Sequence, residues 1–242
     1  MYILILFLTY VLHLLLKLNW VCTAVVLVFL LVMQHFHRIK GQRFQEARKR
    51  FLDVSLYIDT LLYSFLKEQK IIRAFEDVKS TLADGHMKET VSRAIDHMML
   101  TFDETEVFVD AMRIIEDEYK CNRIVNAHEF MAHAEYYGGD IKESARILLK
   151  DKSAWERRIL RNIEDRQRMF HQIILSVVTS VIISGIILYL PVLSMDISSN
   201  IIVQILSAVL IVLDDLIILW GQKFLEVDYL GIDLLPEDDK HA

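Results

Sequence analysis

Two apolar runs near the end of the chain limit what it can fold into more than any other feature. Residues 173–193 read IILSVVTSVIISGIILYLPVL, residues 201–220 read IIVQILSAVLIVLDDLIILW, and the short polar link SMDISSN joins them. Each run has about the twenty residues a helix needs to cross a bilayer core of roughly 30 Å. Neither has the polar face that a soluble helix turns to water. The pair predicts a membrane hairpin. It is led by the basic stretch ERRILRNIEDRQRMFHQ, with Arg157, Arg158, Arg161, Arg166 and Arg168, which reaches the first run without a Gly or Pro.

The other end is apolar as well. Residues 2–36 are broken only by His13, by the stretch Lys17-Leu18-Asn19-Trp20 and by Gln34-His35. One helix of that length would be about 50 Å long, too long for a single span. The polar break predicts two short spans, 2–17 and 20–35, with Trp20 as an interface anchor. One tilted span preceded by an interfacial helix is the alternative. A secretory signal peptide fits poorly, because there is no basic leading region and no small-residue cleavage site. The stretch HRIKGQRFQEARKR follows, and it mirrors the arginines before the hairpin. The link at 194–200 has no Lys or Arg. The positive-inside rule then puts the middle of the chain in the cytoplasm, the link outside and the tail back in the cytoplasm. The expected organisation is an N-terminal membrane part (1–36), a cytoplasmic helical domain (37–171), a membrane hairpin (172–220) and a cytoplasmic tail (221–242).

The middle reads as helix throughout. Phe44, Ala47, Phe51, Val54, Ile58, Leu61 and Phe65 follow a 3-4 spacing, a seam made to pack on other helices. Lys67 to Lys70 breaks it. Further helices are predicted from Ile71 to a Gly cap at Asp84-Gly85, from His86, from Thr105 to Tyr119, and from Cys121 to Tyr137. Gly138 and Gly139 stop the last of these. Asp140 caps a sixth helix from Ile141, with Glu143 at capping-box spacing. With only 7 Gly and 2 Pro in 242 residues, and no run of period two, the fold class is all-α. The expected architecture is an integral membrane protein with a six-helix antiparallel cytoplasmic bundle between two membrane helix pairs.

Few residues suggest chemistry. The pair in HEFMAH, His128 and His133, is five apart, about 140° round a helix, so it does not form the i, i+4 zinc grip of a metalloprotease. No phosphate-binding loop, nucleophile elbow or redox Cys pair occurs, and no cofactor is predicted. Cys22 and Cys121 read as small buried hydrophobes. A net charge of −6 without a basic aromatic stripe argues against nucleic acid. Asp214 and Asp215 lie within the last apolar run, where carboxylates are costly and raise the question of function. They sit about a turn and a half from Trp220, so an ion role competes with a helix contact or an interface position. The arginines at 157–168 read as a topology signal and as contacts to membrane lipid.

The order of parts, with two stretches of sequence, resembles the F-type platform proteins of type II secretion and type IV pilus machines. The single helical domain is closest to the tight-adherence (Flp pilus) B and C branch. EYYGGDIKESARILLKDKSAWERRIL is similar to the family's SGGNLAEVLERLAETLRERRRL pattern. Gly138, Gly139 and Asp140 match its turn, Ile141 and Ala145 its apolar positions, and Arg157 and Arg158 its basic exit. FLDVSLYIDTLLYSFLKEQKIIRAFEDV is similar to its first helix, turn and second helix, with Glu68 where the family usually has Gly. The resemblance implies a non-enzymatic inner-membrane platform for pilus assembly or protein secretion. Its implied partners are a cytoplasmic assembly ATPase, pilin-like subunits, and a second platform protein or another copy of the chain. It also implies that Gly138-Gly139-Asp140 is a hinge. A transporter or channel component using Asp214 and Asp215, or a membrane-anchored scaffold, are the competing expectations.

Overall fold

An apolar segment out of reach of water must satisfy its own backbone, and helix is the solution a single segment has. The computed structural model describes residues 2–100, 106–138, 141–190, 200–227 and 229–230, and helices joined by short links make up most of them. The helices are α1 (Tyr2–Leu15), α2 (Trp20–Glu68), α3 (Ile71–Thr81), α4 (His86–Leu100), α5 (Glu106–Tyr119), α6 (Asn122–Tyr137), α7 (Ile141–Tyr189) and α8 (Ile201–Lys223). No strand occurs among the described residues. Three of the helices, α2, α7 and α8, are long and apolar enough to cross a membrane. Only 11–17% of the residues in their apolar windows are buried within the protein, so these side chains need an apolar surrounding. α1, with 14 residues, is about 21 Å long.

α2 and α7 have 49 residues each, about 74 Å, and both pass between apolar and charged sequence without a break. The first helix of the charged stretch is therefore the continuation of an apolar one. The residues across these joins include many good helix formers, Gln, Glu, Ala, Arg and Lys, with Gly41 the exception in α2, and none is Pro. The chain divides into two compact units, Met1–Gln45 with Ile163–Val227, and Glu46–Asn162 with Asp228–Ala242.

In the first unit, α2 and α8 run in one direction and α7 in the other, as their contacts show. Leu12, Leu16, Leu18, Val26 and Ile211 form a core, with Cys22, Leu30, Val181, Leu188 and Ala208 packed against it. Gly185 brings α7 close to α1, since a Cβ there would stand 2.5 Å from Leu15 Cγ. The break between α1 and α2 is closed by one side chain. Gln204 Nε2 donates to the Lys17 carbonyl at 2.8 Å, and Gln204 Oε1 accepts from the Asn19 amide at 2.7 Å. Lys17 Nζ donates to the Leu188 carbonyl at 3.1 Å and lies 4.3 Å from the centre of the Tyr189 ring. Tyr189 donates to the Leu14 carbonyl at 2.6 Å. The backbone groups freed by the break thus find partners within the protein.

In the second unit the seam on α2 is buried: Phe51, Val54, Ile58, Leu61 and Phe65 have 0–1% exposure. Facing layers come from Ala74, Phe75 and Val78 on α3, Val91 and Ala94 on α4, Ala111 and Ile115 on α5, and Ile124 and Met131 on α6. Trp155 on α7 is fully buried edge-on to Phe51, with ring centres 5.1 Å apart. α4 packs on α3 and α5, and α6 on α5 and α3.

The helix ends differ from expectation in one place. Gly85 does not cap α3, which stops at Thr81 when Leu82 turns extended and its amide bonds to the Val78 carbonyl. Gly85 serves the next helix instead, its carbonyl accepting from the Glu89 amide at 3.1 Å. Elsewhere the chain turns on non-glycine residues with positive φ: Lys17 (48°), Gln69 (52°) and Lys120 (46°) follow α1, α2 and α5. The left-handed conformation costs a side chain about 1–2 kcal/mol. Beside Glu68, then, the residue that takes the glycine geometry is Gln69.

Two outcomes follow from these turns. Gln69→Gly removes that cost and is expected to raise stability by about 0.5–1 kcal/mol, read as a higher melting temperature in detergent. Gln204→Leu leaves the Lys17 carbonyl and the Asn19 amide unpaired and is expected to cost about 2–4 kcal/mol. Ile205→Leu, beside it on the exposed side of α8, is expected to change the melting temperature little.

Candidate functional site

Polar side chains gather in three places, each built by helix faces that are otherwise apolar. The first lies in the first unit at the end opposite the Gln204 clamp. His37 on α2 meets α8, with Nδ1 2.9 Å from Gln222 Oε1 and Nε2 3.2 and 3.3 Å from the two Asp215 oxygens. Both ring nitrogens face acceptors, an arrangement that a protonated imidazole satisfies and that gives Asp215 a counter-ion. Lys40 Nζ is 3.4 Å and Arg43 Nη1 3.9 Å from the Glu226 carboxylate, and Arg166 donates to the Phe224 carbonyl at 2.6 Å. The middle of α2 and of α7 are thus linked there to the C-terminal end of α8 and the residues after it, by ion pairs and by one helix-end carbonyl.

The second is a buried chain in the second unit. Tyr57 donates to His128 Nε2 at 2.6 Å, and His128 Nδ1 donates to Glu116 Oε1 at 2.7 Å. A neutral imidazole with its proton on Nδ1 satisfies both bonds, and the tautomer is assigned from those partners. Burial lowers the histidine's basicity, outweighing the Glu116 carboxylate that favours the charged form. Burial also pushes the Tyr57 hydroxyl well above its usual range, with the Glu116 charge adding to it. Tyr57 and His128 have 0% and 1% exposure, so no substrate reaches the pair. The chain ties α2, α5 and α6 together.

The third is Lys152 on α7, 2% exposed, which donates to Asp59 on α2 at 2.5 Å and to Glu156 at 2.7 Å. Arg123 lies beside it, its guanidinium carbon 5.5 Å from the Trp155 ring centre and its Nε 3.6 Å from Asp151. Losing both carboxylates would strand a buried charge and cost several kcal/mol, whereas losing the lysine leaves two acids that water still reaches.

The residues singled out from sequence fall as follows. Gly138 ends α6 with φ 67°, a value a side chain adopts only at a cost, and its amide bonds to the Ala134 carbonyl at 3.1 Å. Gly139 and Asp140 lie outside the described residues. Glu143 holds Arg146 one turn ahead at 2.6 and 2.8 Å, and the expected capping box with Asp140 falls outside the described residues. Arg157, Arg161 and Arg168 are exposed, and Arg158 and Arg166 are half-buried. The structure separates the two acids: Asp215 has His37, while Asp214 is 8% exposed with Oδ2 lacking a hydrogen-bond partner. His133 packs on the Tyr137 ring, 4.9 Å between centres, away from the His128 chain. Among the described residues no group of three His, Cys, Asp or Glu side chains could hold a metal ion.

Among the participants that the sequence reading did not single out, Lys152 and Gln204 had left a signal. Lys152 sits on the buried stripe of α7 that Ala145, Trp155 and Ile159 mark at 3-4 spacing. Gln204 is the lone amide of its apolar run. His37 pairs across 178 residues of chain, and nothing local marks it.

Comparison with family models, curated proteins and solved structures finds no match for this chain.

The His128 chain predicts a pH effect with a definite sign. Its folded value is depressed, so the stability from the neutral ring is complete above the ordinary 6.5 and is lost as pH falls below it. The melting temperature is expected to drop between pH 7.5 and 5.5, and His128→Gln should flatten that drop. Tyr57→Phe leaves Nε2 unpaired and is expected to cost about 1–3 kcal/mol at neutral pH.

Proposed function

We propose that the chain is an inner-membrane platform protein of a type II secretion or tight-adherence (Flp) pilus machine. In this reading residues 1–36 and 172–220 lie in the cytoplasmic membrane of a bacterial cell. The segment 37–171 is a six-helix antiparallel bundle in the cytoplasm, and the tail returns there. The basic residues Arg157 to Arg168 set that orientation and touch lipid head groups. The partners are a cytoplasmic assembly ATPase, pilin-like subunits, and a second platform protein or another copy of the chain.

One observation carries the reading. α7 is a single helix from just after the Gly138 turn to Tyr189, and Trp155, the arginines and an apolar run lie along it. A helix without Pro or a bulge resists bending, so a push near its start is delivered to its far end. An ATPase acting on the helical domain would move the membrane helices in this way. The protein needs no reaction of its own for that work, because the ATPase supplies the energy. The turn at Gly138-Gly139-Asp140 would set the angle at which α7 begins.

The test has two parts. Ser198→Cys should react with an impermeant thiol reagent on intact cells, and Lys79→Cys should not; reversed labelling would remove the cytoplasmic partner. An assembly ATPase should then co-purify with the wild-type protein from membranes. Gly139→Val with Asp140→Ala should leave the membrane level unchanged and lower subunit assembly sharply. Normal assembly by that variant would take the turn out of the mechanism.

A further inference from the structure

In the first unit an unpaired acceptor and an unpaired donor lie at one depth. The acceptor is Asp214 on α8, 8% exposed, whose Oδ2 has no hydrogen-bond partner among the described residues. Asp214 lines a hollow of about 240 Å³ between α7 and α8, and the other walls are Ile173, Ser176, Val177, Ser180 and Ile217. An acid oxygen left unpaired away from water costs free energy, and an N–H donor relieves it. The donor is His35 on α2. It is exposed, its ring stands edge-on to Phe36 with 6.1 Å between centres, and neither ring nitrogen is bonded to a described residue.

The two cannot meet within one copy. His37 turns toward α8, its Nε2 3.2 Å from Asp215. Residues two apart on a helix point about 200° apart, so His35 turns away from α8. Their levels nevertheless match. α2 and α8 run in the same direction, and His35 lies two residues before His37 as Asp214 lies one before Asp215. That leaves the pair within about 2 Å of each other along the helix axes. A bilayer holds every copy at one depth and one way up, so groups on different copies can bond only where their levels agree.

We propose that copies of this chain associate with one another, His35 of one copy entering the hollow between α7 and α8 of the next and donating to Asp214. The Ser176 and Ser180 hydroxyls serve the second ring nitrogen, and Ile173, Val177 and Ile217 cover the ring faces. Around His35, the side chains of Val28, Leu31, Val32 and Phe36 are 37–62% exposed and lie against the neighbour. Lipid is a poorer occupant, because acyl chains carry no donor for the acid. Donor and acceptor sit on different faces, so the contact is head to tail: each copy gives one histidine and receives one. The inference deepens the self-association named in the proposed function, and it rests on the membrane placement given there and not on the ATPase.

The experiment uses the full chain, labelled on the tail with a donor or an acceptor fluorophore, in phosphatidylcholine vesicles at a series of protein-to-lipid ratios. The wild type is expected to show energy transfer. His35→Leu and Asp214→Asn should each need about tenfold more protein per lipid for half-association, at an unchanged helical spectrum. Mixed together, these two variants should regain transfer between them, since one keeps the acceptor and the other the donor. Two variants that had merely lost their fold would not rescue each other. A wild type that stays monomeric at every ratio, unchanged association of either variant, or a mixture without recovery overturns the proposal. So does a sodium-dependent rise in melting temperature that Asp214→Asn removes, because the hollow would then hold an ion. Failure of ATPase co-purification would leave these outcomes unaffected.

Discussion

The backbone's need for hydrogen-bond partners away from water governs this molecule. It explains why α2 and α7 stay helical where their composition changes from apolar to charged. Stopping there would expose carbonyls and amides close to a low-dielectric layer, at several kcal/mol for each unpaired group. It also explains why the break between α1 and α2 is closed by protein groups. Gln204, the Leu188 carbonyl and the Tyr189 hydroxyl do at one end of the first unit what water does at an exposed turn.

Several polar side chains inside the helical packing are satisfied by a partner on another helix, and Thr9 and Thr90 by a carbonyl one turn back on their own. Tyr57, His128 and Glu116 form a closed series, and Lys152 holds two carboxylates. Such groups add little net stability compared with apolar residues of equal size, but a shifted helix leaves them unpaired at a cost of several kcal/mol. They therefore fix the register of helices whose apolar seams would tolerate sliding. Asp214 Oδ2 and Trp155 Nε1 depart from this pattern, each buried without a hydrogen-bond partner.

Much of this was legible beforehand because it is local. The 3-4 spacing of Phe51, Val54, Ile58, Leu61 and Phe65 marked a buried face, and the polar break at Lys17 to Trp20 marked the end of a helix. Gly85 misled because a glycine near a helix end serves the preceding or the following helix equally well. Only backbone geometry, with Leu82 extended, decides between them. Asp214 and Asp215 are adjacent in sequence and have opposite surroundings, because neighbours on a helix point about 100° apart. Which of them meets His37 depends on how helices distant in sequence pack, and no local pattern records that.

The clamp on the first helix break has a consequence in time. Its partners lie 171 and 185 residues further along the chain. At roughly 5–20 residues per second a ribosome takes on the order of ten seconds or more to make that stretch. For that interval the nascent α1 and α2 exist with an unpaired turn between them, and they can reach their final depth only once α7 and α8 have arrived. α1 and α2, made before α7 and α8, are thus locked to them only afterwards. A chaperone or insertase that shelters the early pair would act on a vulnerability written into the order of the chain.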